Sequence, residues 1–357
     1  MNLQKNYFLL IFSTIVFGFF SILISIPLFS IVDINPWALW DTISLLFVNI
    51  AACFLFMVAF GHIKKSNLKL FYYKLIWIQE ILIILGFLGL GVGFIFMVLG
   101  MLIPPLPGVD PTAKLVSSMA IALITVVYGF IGAVVYYLIQ KYYELKENNN
   151  EEVKIIVPKE GLHPQSIFYF MLFFGSIVLS SYFGAADAGV GLKSMITFDA
   201  LIFVICLNII FILLYRGNYF IMLKNIFWYS TDSEQTIKYN LKFIRNIKKI
   251  SSMILSLILI ITPIIILASL AMPPQIHEHG TSHAMLMVII NTLIYYNWII
   301  LIIIMLNVIE AREVGKLYCK TGVISSGNRF YVITYIVPPA IVLYILLIIT
   351  VYWTTLF

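Results

Sequence analysis

The sequence predicts an all-α, polytopic integral membrane bundle of about nine transmembrane helices. Hydrophobic residues make up 62% of the 357 positions and charged residues only 11%, whereas a soluble domain carries roughly 25% charged residues. Long apolar runs lack the two-residue alternation of barrel strands, so helices are the structure that satisfies their backbone groups in lipid. The basic residues, in addition, gather in alternate connections between these runs.

The predicted spans follow one another along the whole chain, and each is long enough to cross a hydrocarbon core of about 30 Å. They lie near 7–32, 38–61, 75–103, 116–140, 166–186, 195–215, 251–272, 285–309 and 331–356. The first run follows Lys5 but has no clear small-residue cleavage site, so we expect a retained span and not a removed signal peptide.

Lysine and arginine lie mainly in the connections that a cytoplasmic N-terminus would place inside the cell. Of the 22 such residues, only Lys114 and Lys193 fall elsewhere. The positive-inside rule therefore predicts a multi-pass protein of the inner (cytoplasmic) membrane with an extracytoplasmic C-terminus. Since topology accounts for the net charge of +6, the expected partner is the lipid bilayer and not nucleic acid. The basic segment 216–250 suits an interfacial helix at an anionic leaflet, or simply charge that sets the topology.

The order of spans and turns also predicts a direct duplication of a four-helix unit. Thr125 and Tyr128 in the first half correspond to Thr292 and Tyr295 in the second at one constant offset. The predicted organisation is a first membrane unit, a cytoplasmic linker, a degenerate second membrane unit, and a cytoplasmic loop with one additional helix, at 1–145, 146–165, 166–315 and 316–357.

The most specific pattern lies in residues 86–140, where two predicted spans combine small residues with a hydroxyl. Glycine and alanine let helices approach closely in lipid, and a threonine hydroxyl can bond a neighbour, water or its own backbone. These residues alone fit close helix packing as well as the wall of an ion path. The positions are Gly86, Gly89, Gly91 and Gly93 in the third span and Ala120, Ala122, Thr125, Tyr128, Gly129 and Ala133 in the fourth.

This pattern resembles the third and fourth spans of the MotA/TolQ/ExbB proton-channel (stator) family. The resemblance implies a homo-oligomeric ring around a single-span partner helix whose acidic residue binds the ion. It also implies channel-lining or partner-contact roles for Gly89, Gly91, Gly93, Thr125, Tyr128, Gly129 and, through the duplication, Thr292. Leu90 stands where the family has a threonine, and the connection 62–74 lacks the rotor-contacting region of flagellar members, so a flagellar stator is not expected.

Two acidic residues inside predicted spans are candidates for an ion path, because a carboxylate in lipid is costly to place. Glu80 lies near the cytoplasmic end of the third span and Asp199 near the outer end of the sixth. A hydrated position at the membrane boundary is the alternative for both.

A histidine-rich loop before the eighth span provides a candidate metal site. His277, His279 and His283 lie within seven residues, and imidazole nitrogen is a ligand for zinc, copper and nickel. The alternative is a solvated loop, and no other cofactor is expected.

The sequence contains no nucleotide-binding or hydrolytic motif, so we do not expect an enzyme. The leading interpretation is a subunit of a proton or sodium channel in an energy-transducing complex. The alternatives are a structural or metal-binding subunit of a respiratory or transport complex, and a secondary transporter in which Pro263 breaks a helix.

Overall fold

A computed structural model of the chain describes residues 41–61, 63, 68–101, 111–145, 161–188, 202–209, 224–230, 232–271, 281–322 and 324. Six long helices dominate it: α1 (Thr42–Phe60), α2 (Leu68–Met101), α3 (Pro111–Leu145), α4 (Pro164–Ala188), α5 (Glu234–Ala271) and α6 (Thr281–Thr321). Two short strands, β1 (Gly161–Leu162) and β2 (Trp228–Tyr229), pair antiparallel. Residues 202–209 are also helical.

Five helices in the described part of the chain are long and apolar enough to cross a membrane. They contain Thr42–Phe60, Lys69–Gly100, Ala122–Tyr143, Pro164–Phe183 and Leu286–Thr321. The prediction of a helical membrane protein is therefore confirmed. The predicted spans 7–32 and 331–356 lie outside the described residues, so the count of nine and the duplication stay predictions.

The pair α5 and α6 is much longer than the spans predicted there. With 41 residues, α6 extends about 60 Å at 1.5 Å per residue, twice the thickness of a hydrocarbon core of roughly 30 Å. The segment 234–250, which we expected at the membrane surface, forms the first part of α5 and packs on α6 through Ile237, Leu241, Val314 and Leu317. The two helices thus form an antiparallel hairpin that continues beyond the apolar region.

Helix α2 is the centre of the bundle and contacts α1, α3, α4 and α6. Its first turns are fixed to the end of α1 by aromatic packing, with the rings of Phe60 and Trp77 5.2 Å apart and perpendicular. The indole nitrogen of the same Trp77 donates to the carbonyl oxygen of Asn307 at 3.1 Å, which joins α2 to α6. These contacts fix the register of the central helices.

Large apolar side chains cover the outer faces of α3 and α4. Val134 is 55% exposed and Met171 69% exposed, although each lies in a helix that is apolar enough to span a membrane. Such faces are stable in lipid, because exposing so large an apolar surface to water is unfavourable in free energy.

Candidate functional site

The contact between α2 and α3 is built from glycines and Thr125. A side-chain carbon added at Gly89 would lie 2.9 Å from the Thr125 Cβ, and one added at Gly129 would lie 2.6 Å from the Leu82 carbonyl oxygen. Both distances are too short for a real side chain, so glycine is required for the two backbones to approach. The small residues selected from the sequence are therefore needed at least for packing.

The Thr125 hydroxyl is buried at this contact, and its proton is already donated in a hydrogen bond. It donates to the carbonyl oxygen of Ala122 at 2.7 Å and lies 3.2 Å from that of Gly86 across the helix pair. A threonine oxygen still has acceptor capacity after donating its proton. Thr125 can thus accept a hydrogen bond or bind a cation, but it cannot donate further without releasing a backbone carbonyl.

A cavity of about 100 Å³ lies beside Thr125, and we call it the Thr125 cavity. Residues from α1, α2, α3 and α4 line it, together with Asp41 before α1. The lining residues are Asp41, Ile43, Ser44, Phe47, Gly89, Val92, Gly93, Phe96, Ala122, Thr125 and Ser180. Three of the residues predicted to line an ion or partner-helix cavity, namely Gly89, Gly93 and Thr125, thus share one cavity.

Asp41 brings a carboxylate to the wall of the Thr125 cavity while it caps α1. Its side chain accepts hydrogen bonds from the backbone nitrogens of Ile43 and Ser44 and from the Ser44 hydroxyl. The Asp41 backbone nitrogen donates to the Tyr128 hydroxyl at 3.0 Å. Tyr128 therefore lies between α3 and the start of α1, and its role here is to hold Asp41 in place.

The other selected residues lie on different faces. Gly91 faces α6, where an added side-chain carbon would lie 2.2 Å from the Asn297 amide oxygen. Thr292 is buried between α5 and α6, and its hydroxyl oxygen lies 3.0 Å from that of Thr262. The structure thus separates Gly91 and Thr292 from the Thr125 cavity.

Glu80 lies nearer to the start of α2 than the Thr125 cavity does. Both Glu80 and Glu310 lie within electrostatic reach of the Tyr73 hydroxyl, as does Arg245. From Glu80 to Gly89, α2 rises about 14 Å, and Glu80 is not among the residues that line the Thr125 cavity. Asp199 lies outside the described residues.

The predicted metal loop is largely outside the described part of the chain. His277 and His279 are not described, and His283 is described only as a backbone position in the first turn of α6. Among the described residues, no group of three or more histidine, cysteine, aspartate or glutamate side chains could hold a metal ion.

A buried charge cluster occupies the end of the bundle that contains Glu80. In its first part, the Glu310 carboxylate on α6 bonds two cations on α5, with Arg245 Nε at 2.8 Å and Lys248 Nζ at 2.7 Å. Lys248 also donates to the side-chain oxygen of Asn307. Taking charges out of water costs free energy that only close pairing offsets, and Glu310 provides that pairing.

The second part of the cluster surrounds Glu313, one turn further along α6. Lys316 Nζ lies 2.7 Å from Glu313 Oε1 and 3.5 Å from Asp232 Oδ2. Asn225 donates to Glu313 Oε1 at 3.2 Å and Asn240 to Oε2 at 3.3 Å. Both carboxylate oxygens of Glu313 are therefore occupied.

Arg312 is the third part, and it is 0% exposed. One guanidinium nitrogen, Nη1, donates to the carbonyl oxygen of Val58 on α1 and to the hydroxyl of Ser166 on α4, both at 3.0 Å. Within the described part of the chain, Nε and Nη2 have no hydrogen-bond partner. Arg312 thus joins three helices but leaves one edge of its guanidinium unused.

Two side chains outside the membrane-spanning helices respond to this cluster. Burial lowers the pKa of His163 from 6.5, and the positive charge of Arg312 lowers it further. Burial, with the Cys319 sulfur when it is ionised and the negative charges of Glu313 and Asp232, raises the pKa of Tyr229 to about 12, although the positive charge of Arg312 opposes the rise. At neutral pH His163 is therefore uncharged beside Arg312, and Tyr229 keeps its proton.

The sequence analysis treated the positive residues of this cluster only as topology signals and passed over Glu310 and Glu313. A local signal was present, because Glu313 and Lys316 lie three residues apart directly after an apolar run. That spacing predicts a continuing helix with paired charges on its faces. Asn297 was also passed over, although a buried amide in an apolar span is costly.

No protein-family model, curated protein or solved structure matches the chain.

Proposed function

We propose that the chain is a membrane subunit of a proton- or sodium-conducting complex, and that the Thr125 cavity is where the ion passes between this chain and a partner helix. The observation that carries the proposal is the common location of Thr125, Gly89, Gly93 and the Asp41 carboxylate around one cavity of about 100 Å³. This volume is smaller than an apolar cavity of about 150 Å³ that binds benzene, so it suits a small group such as the end of one side chain of a neighbouring helix.

The chemistry of Thr125 indicates what it would recognise. Because its proton is held by backbone carbonyls, its oxygen acts as an acceptor. A protonated carboxyl group has a donor that matches this acceptor, and so does a water molecule, while a sodium ion would bind the oxygen directly. Thr125 therefore favours the loaded, neutral form of an acidic side chain over the empty, charged form.

The partner would be a single-span helix with an acidic residue, in a complex that contains several copies of this chain. The small residues of α2 and α3 support close approach of such a helix. In the described part of the chain, Asp41 is the carboxylate that lines the cavity, and it already accepts three hydrogen bonds in the cap of α1. A second acid, supplied by another chain, would leave that cap intact.

Two alternatives are less supported by the described residues. α5 is helical without interruption from Glu234 to Ala271, so Pro263 does not mark the broken helix that would favour a secondary transporter. A metal-binding structural subunit depends on His277 and His279, which the structure does not describe.

The proposal is tested by ion flux. The complex is purified from its native membrane with its bound partners, reconstituted in liposomes, and assayed for proton and sodium uptake under an imposed membrane potential. We expect Thr125→Val to lower the flux at least about 10-fold, which corresponds to loss of one hydrogen bond of roughly 1.4 kcal/mol in the rate-limiting step. Thr125→Ser keeps the acceptor and should retain most of the flux.

Thr262→Val is the matched control, because Thr262 is also a buried helical threonine whose hydroxyl donates to a backbone carbonyl of its own helix. It should leave the flux within about twofold of the wild type once the assembled complex is quantified, since a change of about 0.4 kcal/mol is a factor of two. Equal flux in wild type and Thr125→Val would refute the proposed role of the cavity.

A further inference from the structure

Arg312 differs from the other cations of the charge cluster. Lys248 and Lys316 each lie 2.7 Å from a glutamate oxygen, and Arg245 lies 2.8 Å from one. In the described part of the chain, no carboxylate lies within 4.0 Å of the Arg312 guanidinium, although the side chain is fully buried. Glu313 acts on Arg312 through its charge without a direct ion pair, and a buried cation that lacks close pairing costs free energy, so its presence calls for a physical explanation.

The two nitrogens of Arg312 that lack partners lie on one edge of the guanidinium. Nη1 is held by α1 and α4, which fixes the plane of the group, while Nε and Nη2 have no hydrogen-bond partner among the described residues. Nε and Nη2 present two parallel N–H donors at the spacing of two oxygens of a carboxylate or phosphate. The unused edge is therefore the one that binds an oxyanion in a bidentate manner.

The surroundings of Arg312 favour a negative charge. Ser166, which bonds Nη1, lies in the first turn of α4, and the N-terminus of a helix attracts anions. Glu313 is the nearest acid in sequence, but Lys316, Asn225 and Asn240 occupy its oxygens. His163 is half-buried, and next to it Pro164 and Gln165 are exposed, so the start of α4 lies at the surface of the protein.

We propose that the Nε–Nη2 edge of Arg312, at the start of α4, binds a phosphate group. The positive-inside pattern places this end of the bundle at the cytoplasmic leaflet, where the headgroups of anionic phospholipids lie. The same chemistry would accept inorganic phosphate from solution. The inference does not depend on the proposed ion path, because Arg312 lies at the opposite end of the bundle from the Thr125 cavity.

The test is a binding titration of the full chain, purified and delipidated in a neutral detergent. The probes are phosphatidylglycerol, phosphatidylcholine as a zwitterionic lipid, and inorganic phosphate with chloride as its salt control. The readouts are the thermal unfolding midpoint and the number of bound lipids by native mass spectrometry. We expect saturable stabilisation of the wild type by phosphatidylglycerol or by inorganic phosphate, and weak or no saturation with chloride.

Variants of Arg312 separate this site from general attraction to a basic protein. Arg312→Lys keeps the charge but loses the fork, and should weaken binding about 10- to 100-fold, the effect of one or two charge-assisted hydrogen bonds. Ser166→Ala removes one of the two contacts that fix the plane of the guanidinium but leaves the Nε–Nη2 edge, so it should weaken binding by less than Arg312→Lys does. Lys224→Gln removes an exposed cation that lies over the Trp228 ring and should not change binding.

The outcomes show whether the bound phosphate belongs to a lipid or comes from solution, and whether Arg312 binds phosphate at all. Saturation by phosphatidylglycerol that inorganic phosphate does not compete identifies a lipid phosphate, whereas saturation by inorganic phosphate alone identifies a soluble one. No saturable response of the wild type to either probe overturns the proposal, and so does an equal response of Arg312→Lys and the wild type. The wild-type competition experiment alone decides the matter if the Arg312 variants do not fold.

Discussion

Single glycines differ sharply in what a methyl group would meet. At Gly129 an added side-chain carbon would lie 2.6 Å from a backbone oxygen of α2, and at Gly91 it would lie 2.2 Å from the end of the Asn297 side chain. At Gly175 on α4 it would meet nothing within 4 Å. A backbone obstacle cannot yield without moving a helix, while a side-chain obstacle can rotate or be shortened.

This difference predicts an ordered series of thermal unfolding midpoints in detergent. Gly129→Ala should destabilise the chain by about 1–3 kcal/mol through overpacking of α2 against α3. Gly91→Ala should cost a similar amount but regain part of it when combined with Asn297→Ala, because the shortened side chain removes the nearest obstacle and leaves Tyr296 Cδ1 at 3.0 Å. Gly175→Ala should be neutral or stabilising by up to about 1 kcal/mol from helix propensity. Equal midpoints for all three single variants would contradict the helix contacts described above.

The residues that line the Thr125 cavity could be selected from the sequence because small residues and a hydroxyl in apolar spans form a local pattern. The helices that pack against these residues could not be predicted from the sequence. The contact of Gly91 with Asn297 joins positions more than 200 residues apart, and nothing near Gly91 in sequence indicates which helix it faces. A single sequence shows that a helix has a face of small residues, but it does not show which helix packs against that face.

At the level of helices, the hairpin of α5 and α6 shows why the predicted span ended too early. The apolar run stops near residue 309, which the sequence analysis took as the membrane boundary. The helix nevertheless continues to Thr321, because Glu310, Glu313 and Lys316 find partners on α5 and on the segment before it. The sequence composition shows where the apolar residues end, whereas α6 continues as far as its charged side chains have partners on neighbouring segments.

The pairing makes a prediction about Glu310. Glu310→Gln leaves the buried Lys248 and the partly exposed Arg245 without their carboxylate, and should lower the free energy of unfolding by about 3–5 kcal/mol, as for other broken buried ion pairs. The matched control is Glu234→Gln on the same hairpin. Glu234 pairs with Lys238 at 2.6 Å, but its side chain is 47% exposed, so its loss should cost only about 0.2–1 kcal/mol.

The comparison is made by denaturant unfolding of the purified chain, followed by fluorescence. If Glu310→Gln lowers the free energy of unfolding by no more than Glu234→Gln does, the cluster is hydrated and contributes little to holding α5 on α6.

For the molecule as a whole, the described helices agree with a membrane bundle whose charged end and cavity end lie on opposite sides. The distribution of basic residues predicts that the charged end is cytoplasmic. We expect Lys224→Cys to react with a membrane-impermeant thiol reagent only after cells are permeabilised, and Lys193→Cys to react in intact cells. The background for both is the chain with Cys53, Cys206 and Cys319 replaced by serine. The reverse labelling pattern would invert the topology.

The most direct test of the account is the structure of the complex purified from its native membrane, imaged at a resolution that shows side chains around Thr125. The account predicts a helix from a second chain at the Thr125 cavity, with an acidic side chain within hydrogen-bond distance, about 2.6–3.2 Å, of the Thr125 hydroxyl oxygen. A cavity that is filled by lipid or by this chain's own residues, with no acidic side chain near Thr125, would contradict it.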